Sequence, residues 1–262
     1  MKNVVVTGAG GGMGREICLS LCDAGYKVFG IDIGEFDSPC HKKYSCDLTD
    51  EAAVRETARK IGEDGGEIFA LVHTAGIYKL GSLVEMDETD FIRVFNVNLG
   101  GVYRINREMI KYMRRGSRIV ITSSELAPLD PLPFTGIYGI TKSALEKYAF
   151  SLRMELNLLG ISVSVLRPGA VKTSLLSDST RELDKFIDTT EIYRCNAKRF
   201  KAIVDSVESR CVNPRKIAKT VIRALNCRHP RLVYSVNRNP LLLLLSALPD
   251  RLQLWIIKLI LK

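Results

Sequence analysis

The β-branched run Val4-Val5-Val6 passes directly into Thr7-Gly8-Ala9-Gly10-Gly11-Gly12-Met13-Gly14. Apolar residues at helical spacing, Ile17, Leu21 and Ala24, then lead to a stop at Gly25. Buried strand, glycine turn and helix in this order restrict the fold more than any other stretch of the chain. The glycines leave the turn without side chains, so bare backbone N–H groups and the positive end of a helix dipole converge on one point. A pyrophosphate suits that point. The spacing is informative too: Gly8, Gly12 and Gly14 give Gly-x-x-x-Gly-x-Gly, whereas the commoner dinucleotide fingerprint is Gly-x-Gly-x-x-Gly.

A second apolar run, Lys27-Val28-Phe29-Gly30-Ile31, ends at Asp32. A carboxylate there can accept from both hydroxyls of an adenosine ribose and repels a 2′-phosphate, so NAD(H) is expected over NADP(H). Farther along, Ser123-Ser124 close the run Arg118-Ile119-Val120-Ile121-Thr122, and Tyr138 and Lys142 stand four residues apart. On a helix these two share a face. An ammonium beside the phenol is expected to lower its pKa from about 10 and fit it to take a proton near neutrality. Alone, such a pair reads as two surface neighbours; with a dinucleotide turn in the same chain it reads as a site.

The pair Thr-Gly-x-x-x-Gly-x-Gly and Tyr-x-x-x-Lys resembles the signature of the short-chain dehydrogenase/reductase family, in its shorter single-domain branch. The match runs from about residue 3 to about 175, roughly two thirds of the chain. The resemblance implies a hydride transfer at CH–OH groups between NAD(H) and an alcohol or carbonyl substrate, with Ser124, Tyr138, Lys142 and Asn98 as the catalytic set. It places Thr7, Gly8, Gly12, Met13 and Gly14 at the phosphates, and Asp32 at the ribose. Asp47 and Leu48 fall at the adenine and Ala75-Gly76 beyond the fourth strand. Pro168-Gly169 and Thr173 fall at the nicotinamide, and Tyr138 and Lys142 also contact its ribose. Asn98 matches a helix Asn that holds a water between the Lys and solvent. Family members of this branch form homodimers or homotetramers.

The chain departs from the pattern twice. The family's Asn-Asn-Ala-Gly is His73-Thr74-Ala75-Gly76, which reads as a changed structural contact rather than a catalytic His73. Ser124 lies fourteen residues before Tyr138, one more than usual, so Ser123 is a rival for the catalytic hydroxyl. Ser124 is favoured because Thr122-Ser123-Ser124 aligns best on the family's Ser-Ser ending and the proline-rich loop Pro128, Pro131, Pro133 can absorb an insertion.

Across its 262 residues strands alternate with helices: strands near 3–7, 27–31, 68–73, 118–122, 161–166 and 231–235, with a short one ending at Cys46, and helices near 13–24, 50–61, 90–114 and 137–158. That alternation predicts an α/β fold, a doubly wound Rossmann-type parallel sheet with helices on both faces, as a single domain over 1–238. Within it, 174–212 is polar with scattered apolar residues, among them Leu175, Leu176, Phe200 and Ile203, and suits a substrate lid. A pair of plain surface helices would read the same way.

The 46% hydrophobic content is normal for a globular domain. A formal charge of +9 without a basic patch interleaved with aromatics argues against nucleic acid. Seven cysteines lack metal-ligand spacing, so no metal is expected, and they read as reduced thiols of a cytoplasmic protein. Met1 leads straight into the first strand, leaving no room for a signal peptide.

The stretch 239–262 is apolar: five leucines, 241–245, and after Pro249-Asp250 a helix whose Arg251, Lys258 and Lys262 gather on one stripe. Such a helix needs a covering, either a membrane interface at its periphery, which would suit a lipophilic steroid, retinoid or acyl substrate, or a subunit interface. Two rival functions use the same fold: a sugar-nucleotide epimerase, for which the chain lacks a second domain, and a non-catalytic NAD-binding regulator or scaffold, which would not need the Ser, Tyr and Lys.

Overall fold

The computed structural model describes residues 1–130, 132–208 and 210–262, without the side chains of 174–180 and 207–208. Pro131 and the side chains of Leu175 and Leu176, named above, therefore lie outside the described residues. Seven parallel strands form one sheet: β1 (Asn3–Thr7), β2 (Lys27–Asp32), β3 (Lys42–Ser45), β4 (Ala70–His73), β5 (Arg118–Thr122), β6 (Ser162–Pro168) and β7 (Val233–Val236), in the order β3-β2-β1-β4-β5-β6-β7. The order reverses between β1 and β4. At such a switch point the loops leave the strands in opposite directions and open a crevice at their carboxyl ends.

Both faces of the sheet are covered, which is why the central strands β1, β4 and β5 are buried on both sides, whereas the edge strand β3 is mostly exposed. Val5, Phe29, Leu71, Ile119 and Val163 point to a layer made by α2 (Glu51–Gly65), α4 (Gly101–Met109) and α5 (Gly136–Asn157). Val4, Val6, Val28, Ala70 and Val120 point the other way, to α1 (Gly12–Asp23) and α8 (Pro214–Asn226). The latter helix was absent from the sequence-based layout. Asn213 caps it by accepting from the Arg215 N–H, and Ile217, Ala218, Val221, Ala224 and Leu225 bury its inner face.

The single helix expected near 90–114 is broken. It runs as α3 (Glu88–Phe95), a π-turn (Asn96–Gly100), α4, and a short 3₁₀ turn (Ile110–Tyr112). The extra residue of the π-turn turns Asn98 fully inward, where its amide both accepts from the Ile77 N–H (2.8 Å) and donates to the Ile77 carbonyl (3.0 Å).

The segment 174–212 folds as two helices, α6 (Ser174–Thr189) and α7 (Arg194–Glu208), and the last apolar stretch as α9 (Pro240–Ser246) and α10 (Asp250–Leu261). Of these, α6, α7 and α10 meet in a separate cluster of Leu80, Phe134, Leu183, Phe186, Phe200 and Leu261.

Candidate active site

The glycine turn is tight for a reason visible atom by atom. Gly8 holds φ +71°, and a Cβ on it would lie 2.5 Å from the Ala75 nitrogen. A Cβ on Gly14 would lie 1.9 Å from the Gly8 carbonyl oxygen. At Gly8 and Gly14 the turn therefore admits only bare backbone, and a cleft of about 800 Å³ opens over it. Gly8, Gly12, Met13, Gly14, Asp32, Asp47, Leu48, Ala75 and Gly76 all line the cleft.

Asp32 anchors the turn as well as the cleft. Its Oδ2 accepts from the Gly10 N–H (2.7 Å) and its Oδ1 from the Ile33 N–H (2.7 Å), which leaves further lone pairs for ribose hydroxyls. Asp47 accepts from the Thr49 N–H and hydroxyl, each at 2.8 Å. This donor set and cradle fit a dinucleotide. Thr7 does not reach the cleft: its hydroxyl is buried without a partner, and its carbonyl accepts from the Thr74 N–H and hydroxyl. Its contribution is to tie β1 to the segment after β4.

A second, smaller pocket of about 190 Å³ contains Ser124, Tyr138, Lys142, Pro168, Gly169 and Thr173. It shares Met13, Thr74, Gly76, Ile77 and Thr173 with the cleft, so the two are continuous. Strand β5 delivers the serines. Ser123 N–H bonds the Leu166 carbonyl (2.8 Å) and Glu125 N–H the Pro168 carbonyl (2.9 Å), extending the pairing with β6 past the strand end. Helix α5 delivers the other two side chains. The Lys142 Nζ lies 5.6 Å from the Tyr138 ring centre and donates to the Thr122 carbonyl (3.0 Å).

The two serines have different surroundings. Ser123 is fully buried and its hydroxyl donates to the Lys142 carbonyl (3.4 Å). Ser124 stands close enough to Tyr138 for its hydroxyl to pull the phenol pKa down, and its Oγ accepts from the Leu126 N–H (3.2 Å). Between Ser124 and α5, Phe134 adopts φ +66°.

The electrostatics differ from the helix-face expectation that Lys142 lowers the Tyr138 pKa. Burial pushes the phenol up to about 12, and the Ser124 hydroxyl pulls the other way. Burial also brings the Lys142 ammonium down to about 8. Both groups are out of water, so desolvation penalises phenolate and ammonium alike and outweighs their spacing. Asn98 lines neither cavity. Its amide donates to the Thr141 hydroxyl (3.2 Å) beside Lys142 and holds the Ile77 backbone, so it braces the wall of the site.

His73 lies behind the sheet end. Its Nε2 is 2.9 Å from the Asn106 Oδ1, its Nδ1 has no partner, and burial brings its pKa down to about 4. It is a neutral core residue.

The wall residues Tyr78, Val204 and Leu242 escaped the sequence reading. Tyr78 packs edge-on against Tyr138 with ring centres 4.4 Å apart. Val204 of α7 and Leu242 of α9 line the pocket together with Phe200 and Ile203 of the expected lid. The three α7 residues sit at helical spacing, a signal readable from sequence once α7 is recognised. Glu125 also lines the pocket, with its carboxylate taking the Asn239 N–H (2.6 Å) and its pKa raised by burial.

A family model described as short chain dehydrogenase matches residues 2–184. Among curated proteins, 2,3-dihydro-2,3-dihydroxybenzoate dehydrogenase of Escherichia coli is 31% identical over 181 residues, covering 66% of this chain and 71% of that protein. The 3-ketodihydrosphingosine reductase of Bacteroides thetaiotaomicron is 24% identical over 234 residues, covering 87% and 84%. Among solved structures, Thermoplasma acidophilum aldohexose dehydrogenase superposes with a TM-score of 0.74 at 25% identity, covering 89% of this chain and 92% of that one.

Proposed function

This chain belongs to the short-chain dehydrogenase family, and from that premise we propose that it transfers hydride between NAD(H) and a secondary alcohol or ketone of lipophilic character. Members of the family are oxidoreductases that work with a nicotinamide dinucleotide. The observation that carries the reading is the continuity of two cavities: Ser124, Tyr138 and Lys142 line a pocket that opens into the cleft over the glycine turn.

In the oxidation direction Tyr138 takes the proton from the substrate hydroxyl, and in reduction it returns it. Ser124 donates a hydrogen bond to the same oxygen, where negative charge develops. Lys142, with its ammonium brought down to about 8, stands ready to exchange a proton with the phenol and to hold a ribose hydroxyl. Asn98 supports that relay by fixing Ile77 and Thr141 around it. The bound nicotinamide supplies the hydride chemistry. Asp32 at the end of β2 supports NAD(H) over NADP(H), since a 2′-phosphate would meet its carboxylate.

The apolar lining, with Leu126, Leu132, Phe200, Ile203, Val204 and Leu242, supports a lipophilic substrate such as a steroid, retinoid or acyl chain. A relative named for 3-ketodihydrosphingosine matches most of the chain, which fits that class. Phe150, Met154 and Leu158, exposed at successive turns of α5, support self-association as a homodimer or homotetramer. Seven free cysteines suit a reducing compartment such as the cytoplasm. The test is turnover by the purified protein with NAD+ and NADP+ against secondary alcohols, steroids, polyols and hydroxyacyl thioesters. Activity confined to polyols, or to NADP+, would overturn the substrate or the cofactor assignment respectively.

A further inference from the structure

The last two helices put an apolar and basic surface beside the pocket. In α9, Leu242 faces inward and lines the pocket, while Leu241 and Leu244 are 63% and 64% exposed. One helix thus separates the pocket from the outside. The bond from the Asn239 N–H to Glu125 pins the start of that helix to the residue after Ser124.

Helix α10 is held the same way by its inner face. Gln253 donates to the Leu248 carbonyl (2.8 Å), the Leu261 carbonyl accepts from Asn196 (2.7 Å), and the Leu261 side chain packs into the cluster with Phe134 and Phe200. The outer face carries Arg251, Trp255, Lys258 and Lys262 in one stripe, with Leu254 on one flank and Leu252 and Leu259 on the other. All seven are exposed, Trp255 at 59% and Leu254 at 68%. Asp250 is the only acid on the helix. Among the described residues no helix is long and apolar enough to cross a membrane, so a lipid contact here lies along the surface.

We propose that α9 and α10 dock on an anionic phospholipid surface, with Trp255 and the flanking leucines entering the interface and Arg251, Lys258 and Lys262 meeting the headgroup phosphates. Charge selects this occupant over a second copy of the chain. A twofold self-contact would set the basic stripe of one protomer against that of its partner, and the one acid on the helix does not offset three cations. Docking brings the wall formed by Leu242 to the layer where a lipophilic alcohol or ketone concentrates. This inference rests on the substrate class proposed above, but its test needs no turnover.

The full chain is sedimented with vesicles of phosphatidylcholine alone and of phosphatidylcholine mixed with phosphatidylglycerol, at low salt. Wild type is expected to partition onto the mixed vesicles and weakly onto the neutral ones. The triple variant R251Q/K258Q/K262Q should lose about a hundredfold of that partitioning, from about 1 kcal/mol per cation. Leu254→Ser with Trp255→Ser should lose roughly tenfold or more. NADH binding retained by both variants establishes that they fold. Wild type that stays in the supernatant with the mixed vesicles overturns the proposal, as does a triple variant that partitions like wild type. Conversion of a dimer to a monomer by Leu254→Ser with Trp255→Ser, without vesicle binding by wild type, assigns the face to a second copy instead. Vesicle binding without turnover of any lipophilic substrate sinks the substrate reading and leaves the docking; turnover without vesicle binding does the reverse.

Discussion

Gly14→Ala perturbs the glycine turn at its tightest point. The new methyl carbon would lie 1.9 Å from the Gly8 oxygen, 2.7 Å from the Gly8 carbonyl carbon and 2.9 Å from the Thr74 hydroxyl. An unstrained C···O contact is about 3.3 Å, so turn and helix must separate by about 1.4 Å. Neither neighbour yields easily. Gly8 is itself locked against the Ala75 backbone, and the Thr74 hydroxyl is bonded to the Thr7 carbonyl at 2.7 Å. Overpacking of this kind costs about 1–3 kcal/mol, which in a chain of this size lowers Tm by roughly 2–12 °C. Because the shift moves the N–H groups that face the pyrophosphate, NADH affinity should fall roughly 10- to 100-fold.

Gly11→Ala supplies the control in the same turn. Its methyl would meet only the Gly8 oxygen at 3.5 Å, and Gly11 has φ −72° and ψ 161°, which alanine adopts freely. That variant should keep Tm within about 2 °C and NADH affinity within a few-fold. Thermal unfolding and fluorescence titration with NADH measure both quantities. Equal losses in the two variants would refute the claim that close backbone approach, rather than glycine content, makes the turn a dinucleotide cradle.

Three further outcomes follow from the site. Ser124→Ala removes the hydroxyl that pulls the Tyr138 pKa down, so turnover should fall by about 10²-fold or more and the rising limb of the pH profile for alcohol oxidation should move alkaline; an unmoved limb would show that Ser124 does not act on the phenol. Asp32→Ser should lower the preference for NAD+ over NADP+ by roughly tenfold or more, read as the ratio of the two kcat/KM values. His73, with its pKa brought down to about 4, binds fewer protons folded than unfolded between that pH and about 6.5. Stability therefore declines on acidification through that window, by up to roughly 3 kcal/mol, and His73→Asn should flatten the decline in urea unfolding midpoints.

The parts legible in sequence are those made by contiguous residues. Strand, turn and helix at 3–24 need no distant partner to be recognised, and the central strands β1, β4 and β5 announce themselves by apolar runs buried on both faces. The break in the helix at Asn96–Gly100 was not legible, because it goes with the pairing of Asn98 with Ile77, a residue distant in sequence. Helix α8 was missed although its pattern is amphipathic. It packs on α1 from the far end of the chain, with the Tyr26 hydroxyl donating to Asn226 at 2.5 Å. At the motif position Thr7 the side chain faces the interior. The pKa expectation for Tyr138 failed for a related reason: four-residue spacing reports proximity of Lys142, and only the fold reports how completely both are removed from water.

The central claim is that Tyr138 is the proton donor and acceptor at the substrate oxygen, and Tyr138→Phe tests it most directly. The phenol is buried in the pocket against Tyr78, and its loss removes one hydroxyl without changing the ring that packs there. NADH binding should stay within a few-fold of wild type while kcat with the best alcohol or ketone falls by about 10²- to 10⁴-fold. A Tyr138→Phe enzyme that binds NADH normally and turns over at the wild-type rate would contradict the account.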